Sequence, residues 1–273
     1  MKTKVSLTSD NDLFSSTVEN GVLVIREKRH IQSMTHDIKA VFSFYDYLES
    51  MLASRAFTAL AVFGHPDKAG PREHCAFLYK ALSDSLEGKL MDRLVNVVNR
   101  LILSLSTLNA ITVYAGRGTI SLVHLNLSLA YDYRLVADDT VFENRNVDLG
   151  MLTKGSGYFL PRLLGVRKAA EVLQWKSFSA EDALQLGLVD QIVPAAKLEE
   201  ETMRLIAASM AGPAANLLAI RKLLKCDLQE LQRSLEREDK LIRDRLVSSD
   251  FKAAFAKYCR EKVGCDMEAL GAT

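Results

Sequence analysis

The sequence predicts an α/β domain, and three observations carry that expectation. Short apolar runs that suit buried strands recur along the first half: GVLVIR at 21–26, ALAVFG at 59–64 and AITVYAG at 110–116. Between them lie longer stretches with apolar residues at helical spacing, as in LMDRLVNVVNRLILSL. From about residue 195 the pattern is helical almost throughout. Strands covered on both faces read as continuous apolar runs, and their alternation with amphipathic helices argues for βαβ units stacked in one domain.

Taken in order, 21–26 is a β-branched strand, and Thr35, His36 and Asp37 open a helix that AVFSFYDYLESML continues. The strand at 59–64 is followed by HPDKAGPREH (65–74), read as a polar loop because it holds two prolines and a glycine. A long helical pattern covers roughly 75–107, before the strand at 110–116. In the last third, Gly212-Pro213 and Asp227 are breaks, and LQELQRSLEREDKLIRDRL keeps leucines on one side and charges on the other. The expected organisation is a core to residue 194, followed by a helical, oligomer-forming segment over 195–273.

Bulk properties exclude several classes. With 273 residues, 48% of them hydrophobic, the chain can bury a large core. Its 35 basic and 34 acidic residues nearly cancel, so no global field argues for nucleic acid or an anionic membrane. The local basic group Arg233, Arg237, Lys240, Arg243 and Arg245 is interleaved with acids and reads as a solvated helix face. The opening MKTKVSLTSDNDLF has no apolar signal region, and no uncharged apolar run reaches the roughly 18 residues of a membrane span. Cys75, Cys226, Cys259 and Cys265 show no paired spacing, and the five histidines complete no metal pattern. A reduced, cytoplasmic setting is the expectation.

The informative segment is 116–194. Its phrases LSLAYDYR (127–134), VFENRNVDLGM (141–151), GSGYFLPRLLGVRKAAEVL (155–173) and FSAEDALQLGLVDQIVP (178–194) closely resemble those of the crotonase (enoyl-CoA hydratase/isomerase) superfamily. The resemblance implies a crotonase-like ββα superhelix with trailing helices, usually assembled as a trimer or as a hexamer of two trimers. It implies an acyl-CoA thioester as substrate, coenzyme A entering only as part of that substrate. An oxyanion hole of backbone amides would hold the thioester oxygen. Counting back from Asp132, the glycine triplet that supplies one donor falls on Leu122, Val123 and His124, so the donor would be the Val123 N–H. The other donor comes from the loop at 64–78, where Arg72 takes the donor position; Arg72 could instead pair with a CoA phosphate or be solvated. Lys262 corresponds to a CoA-contacting lysine near the end of the chain.

The two glutamates of the hydratases are replaced by Asn126 and Asn146. An amide can orient a water but does not titrate near neutrality. Losing one positioned acid or base costs about 10²–10⁴-fold in rate, so ordinary hydration is expected to be feeble. Candidate replacements are Lys154, Asp148 (two residues past Asn146, on the same face of an extended segment) and His124. Two functions follow. One is an enzyme that stabilises an oxyanion or enolate of an acyl-CoA thioester without being a standard hydratase, through isomerisation, decarboxylation, C–C hydrolysis or thioester hydrolysis. The other is a non-catalytic crotonase-fold subunit or acyl-CoA binder.

Overall fold

The computed structural model describes residues 8–29, 42, 46–50, 56–66, 70–83, 89–211, 214–224 and 227–271. The main sheet runs, in spatial order, β1 (Ser9–Asp10), β2 (Phe14–Glu19), β3 (Val22–Glu27), β4 (Ala59–Phe63), β5 (Ile111–Gly116), β7 (Tyr133–Ala137) and β10 (Gln191–Val193). Strands β3 to β10 are parallel; β1 and β2 add an antiparallel edge. A smaller sheet holds β6 (Thr119–Ser121), β8 (Val141–Glu143) and β9 (Ser177–Ser179). The helices are α1 (Pro71–Ser83), α2 (Lys89–Thr107), α3 (Leu122–Ser128), α4 (Ser156–Val172), α5 (Ala180–Gln185), α6 (Leu198–Met210), α7 (Ala214–Leu224), α8 (Leu228–Val247) and α9 (Ser249–Tyr258).

The apolar runs are buried for the reason their composition gives. In β4, Ala59 and Ala61 face one side with Val24, Val113 and Leu135, while Leu60 and Val62 face the other. The alanine side lets α6 approach closely through Leu198 and Ile206. The opposite side packs the larger cluster around Ile102, Leu125 and Leu160. Both faces are covered, as a parallel sheet requires. The first trailing helix, α6, thus belongs to the sheet's own core, across the boundary at 194.

Several expectations change. The sequence reading gave one strand at 21–26, but β2 pairs with β3 through a turn at Asn20 (φ 51°) and Gly21 (φ 79°). Asn-Gly favours this turn because both central residues need positive φ. The 65–74 stretch is not loop to its end: α1 starts at Pro71, where a missing N–H costs nothing, and Glu73 accepts the Gly70 N–H at 2.8 Å. The helical pattern at 75–107 contains two helices, α1 and α2. Most of the helix expected from residue 35 and the Gly212-Pro213 break lie outside the described residues.

Part of the signature is scaffold. Asp132 accepts the Thr112 N–H and hydroxyl at 2.8 and 2.9 Å and pairs with Arg221 at 2.6 Å, tying β5 to the chain entering β7. Arg134 pairs with Asp190 at 2.8 Å, joining β7 to the approach of β10. Ser179 and Asp182 form a reciprocal capping box at α5. In the small sheet Phe142 lies opposite Phe178 in register, with ring centroids 5.0 Å apart. Phe142→Ala is expected to destabilise the fold by about 3–5 kcal/mol, read by urea unfolding, because a fully buried aromatic leaves a cavity.

Candidate active site

The site lies where β6 runs directly into α3. Val123 is in the first turn of α3, where backbone amides have no intrahelical partner, and the Ser121 side chain makes no cap bond to them. Beside this turn is a cavity of about 120 Å³. Its apolar walls include Phe77 from α1, Met91, Leu94 and Val98 from α2, Met151, and Ile242 from α8. Its polar lining is His74, Ser121, His124, Asn146 and Lys154. An adjoining recess shares His74, Ser121, Val123 and Asn146 and adds Glu143, Asn144, Arg145 and Thr153. An apolar chamber with a few polar groups and backbone amides suits a hydrocarbon chain carrying one polar carbonyl.

Four of the residues singled out in the sequence therefore meet around one cavity, in unequal roles, and a fifth, Asn126, lies just behind it. Asn146 lines it, its Nδ2 donating to Thr153 Oγ1 at 3.4 Å. His124 lines it with Nδ1 3.1 Å from the Ser121 hydroxyl. Val123 contributes its first-turn position. Lys154 lines it too, but its ammonium is directed to α8: 3.0 Å from Leu235 O, 2.5 Å from Asp239 and 3.4 Å from Glu238. Those acceptors make it a structural tie. Asn126 is fully buried outside the lining, and its Nδ2 donates to the Lys154 carbonyl at 3.1 Å.

The other three stand apart. Asn146 to Gly150 is a 3₁₀ turn, not an extended segment, so Asp148 does not share Asn146's face and pairs with Lys176 at 2.5 Å. Arg72 is exposed on the first turn of α1, outside the cavity lining. Lys262 is exposed on the π-helical turn Cys259–Val263. No group of three or more His, Cys, Asp or Glu suited to a metal ion occurs among the described residues.

The side chain the sequence reading passed over is His74. It is 3% exposed, lines both cavity and recess, and neither ring nitrogen has a hydrogen-bond partner among the described residues. Tyr258 packs edge-on against it, with ring centroids 6.4 Å apart. Burial, aided by the Arg145 charge, pushes its pKa down to about 4, so the ring is neutral at pH 7. Each unpaired buried polar atom costs about 1–3 kcal/mol, a cost a fold without use for it would shed. The signal was present: Gly70, then Pro71, with Glu73 three residues after Gly70, marks a helix start and puts His74 on a helix rather than in a loop.

The Gly155–Gly157 turn completes the frame. Glu238 accepts the Gly155 N–H at 2.9 Å and also the Gly157 N–H, placing a carboxylate at the α4 N-terminus. Gly155 holds φ +83°, and a side chain there would meet Asn126 Cβ at 3.1 Å.

With this geometry in place, the comparisons are direct. The chain belongs to the enoyl-CoA hydratase/isomerase family, whose model matches residues 83–266. It is similar to the trans-2-decenoyl-[acyl-carrier-protein] isomerase of Streptococcus mutans, 25% identical over 62% of this chain and 66% of that protein. It is also similar to the fatty acid oxidation complex subunit alpha of Pseudomonas syringae pv. syringae, 34% identical over 42% of this chain and 16% of that one. The chain thus spans less than two thirds of the curated relatives it matches. Among solved structures, an enoyl-CoA hydratase from Bacillus halodurans superposes with a TM-score of 0.77 over 89% of this chain and 98% of its own, at 22% identity. A Thermobifida fusca protein named for enoyl-CoA hydratase, solved with acetoacetyl-CoA, gives 0.62 over 85% and 94%, also at 22% identity. At such identities the structures establish fold alone. No described helix is long and apolar enough to cross a membrane.

Two outcomes test this geometry. Lys154→Met, which leaves Asp239 and Glu238 buried without their cation, is expected to cost about 3–5 kcal/mol in denaturant unfolding. The His74 effect has a defined sign. Below pH 6.5 an unfolded chain protonates this imidazole while the folded chain resists until about pH 4, so folding stability falls as pH drops through that window. The loss reaches about 3 kcal/mol, and His74→Gln is expected to remove that component from a pH series of unfolding curves.

Proposed function

We propose that this protein isomerises the double bond of an enoyl thioester, holding the enolate oxygen near the Val123 amide and moving the proton with His74. The observation that carries the reading is the neutral imidazole lining the cavity, with no hydrogen-bond partner among the described residues. Shifting a double bond from C2–C3 to C3–C4 removes a proton from C4, forms a dienolate and returns a proton to C2. One base can do both, whereas adding water needs a group for the water proton and another for the carbon. With asparagines at the two glutamate positions, a one-base reaction fits better than hydration.

His74 has the basicity for that task. A conjugate acid near pKa 4 matches an ordinary glutamate, at about 4.3. Unlike a carboxylate, a neutral imidazole places no negative charge beside a developing enolate. The isomerase named among the relatives points to the same reaction class and leaves open whether CoA or a carrier-protein arm bears the acyl chain. The subunit assembly implied by the family resemblance has a candidate surface in the exposed Val166, Leu223 and Leu224, 76%, 82% and 76% accessible.

The test uses trans-2-decenoyl-CoA in D₂O, followed by NMR. Deuterium at C2 and C4 with growth of the 3-enoyl isomer is expected, while hydration of crotonyl-CoA stays near background. His74→Gln is expected to lower kcat by about 10²–10⁴-fold with KM little changed, and kcat/KM of the intact protein to fall as pH drops through 4. Vigorous hydration by the unmodified protein would overturn the reading. Tight binding without exchange would favour a non-catalytic acyl-thioester binder instead.

A further inference from the structure

Ser121 ends β6 and occupies the N-cap position of α3, with φ −69° and ψ 149°. From that position a serine hydroxyl ordinarily accepts the amide two or three residues on, as Ser179 and Ser248 do at their own helices. Ser121 makes no such bond; its Oγ lies 3.1 Å from Nδ1 of His124. Both side chains are buried at 8% exposure, and both line the cavity beside Val123. A hydroxyl within hydrogen-bond reach of an imidazole, at the polar end of an apolar chamber, is the arrangement of a nucleophile and its base.

We propose that Ser121 and His124 form a nucleophile–base pair giving the protein a thioesterase activity toward acyl chains seated in this cavity. The proposal rests on the reading that the cavity takes an acyl thioester, and acts on a different atom of it: His74 addresses the carbons, Ser121 the carbonyl. The Ser121 oxygen attacks the carbonyl carbon while Nδ1 of His124, with Nε2 carrying the ring's own proton, takes the hydroxyl proton. The tetrahedral intermediate then breaks its C–S bond, and the thiolate leaves with the proton from His124. Water deacylates the serine ester by the same route: His124 takes a water proton, hydroxide adds to the ester carbon, and the C–O bond to Ser121 breaks as the proton returns to it. The sum is thioester plus water giving carboxylic acid plus thiol, with no redox change.

The sequence allowed thioester hydrolysis only as one of several open chemistries, with no nucleophile to carry it. The fold supplies one by setting Ser121 at a strand-to-helix junction with no connecting loop, so that the residue three positions on is a histidine over the same cavity.

The first experiment avoids thioesters. The full chain is treated with a decyl fluorophosphonate, which phosphonylates activated serines, and digested for mass spectrometry. An adduct on the peptide containing Ser121 is expected, absent in Ser121→Ala and formed about 10²-fold more slowly in His124→Gln, with circular dichroism melts confirming that both variants are folded. No adduct in the unmodified protein, an adduct elsewhere, or labelling indifferent to His124→Gln would overturn the proposal. A second arm measures thiol release from decanoyl-CoA alongside calorimetric binding of S-decyl-CoA, a thioether that cannot be cleaved. Binding without thiol release or adduct sinks the Ser121–His124 pair and leaves the thioester site standing. Absence of binding with a Ser121 adduct sinks the thioester reading and leaves an activated serine.

Discussion

The site depends on one buried ionic cluster. Lys154 Nζ, Asp239 and Glu238 have side-chain exposures of 8%, 5% and 11%, and they join the turn before α4 to the middle of α8. Asn99 on α2 adds a 2.7 Å bond to the other Asp239 oxygen, so three helices meet on two carboxylates. Burying charges is costly unless each is paired and hydrogen-bonded, and here the remaining acceptor capacity is taken up by backbone N–H groups of Gly155 and Gly157. The geometric result is that Ile242, one turn beyond Asp239 on α8, is delivered as a cavity wall. The lysine that the sequence offers as a catalytic candidate is therefore the fastening of the chamber.

Within that chamber the electrostatics differ from a site built on two carboxylates. Its polar lining offers imidazoles, a hydroxyl and amides, and its one ammonium is directed to acids outside the lining. The adjoining recess adds Glu143, paired with Arg145 at 2.9 Å, so a developing oxyanion would meet dipoles and a compensated ion pair. This arrangement favours reactions whose transition state is an enolate or a tetrahedral alkoxide over those that must also activate water with a second base. His74 and the Ser121–His124 pair are two ways of using one such field.

How far the sequence carried the structure can be judged residue by residue. The parallel strands were legible because burial on both faces leaves an unmistakable apolar run, as in ALAVF. The β2–β3 hairpin is also written locally, in Asn20-Gly21, but its first strand, FSSTVE, is too polar to stand out as a buried run. The family resemblance singles out Val123, His124, Asn146 and Lys154, and the structure brings these four to one cavity. What spacing could not give was orientation. Asp148 was assigned to Asn146's face on the assumption of an extended segment, and a 3₁₀ turn swings it out to Lys176. Lys154 finds Asp239 across 85 residues of chain, a pairing no local pattern encodes. His74 stands out only through its burial together with the absence of a hydrogen-bond partner among the described residues.

The position of α8 in the chain has a consequence for biogenesis. The main sheet apart from β10, and the walls from α1, α2 and α3, are encoded before residue 155, but Asp239 and Ile242 come some eighty residues later. During synthesis the apolar lining is therefore complete on one side and bare on the other until α8 emerges. At about 5–20 residues per second that gap lasts several seconds. A nascent chain in that interval presents an open greasy trough with Lys154 unpaired at its rim. It is the species that holdase chaperones would recognise and that a ribosome stalled before residue 228 would leave prone to aggregation.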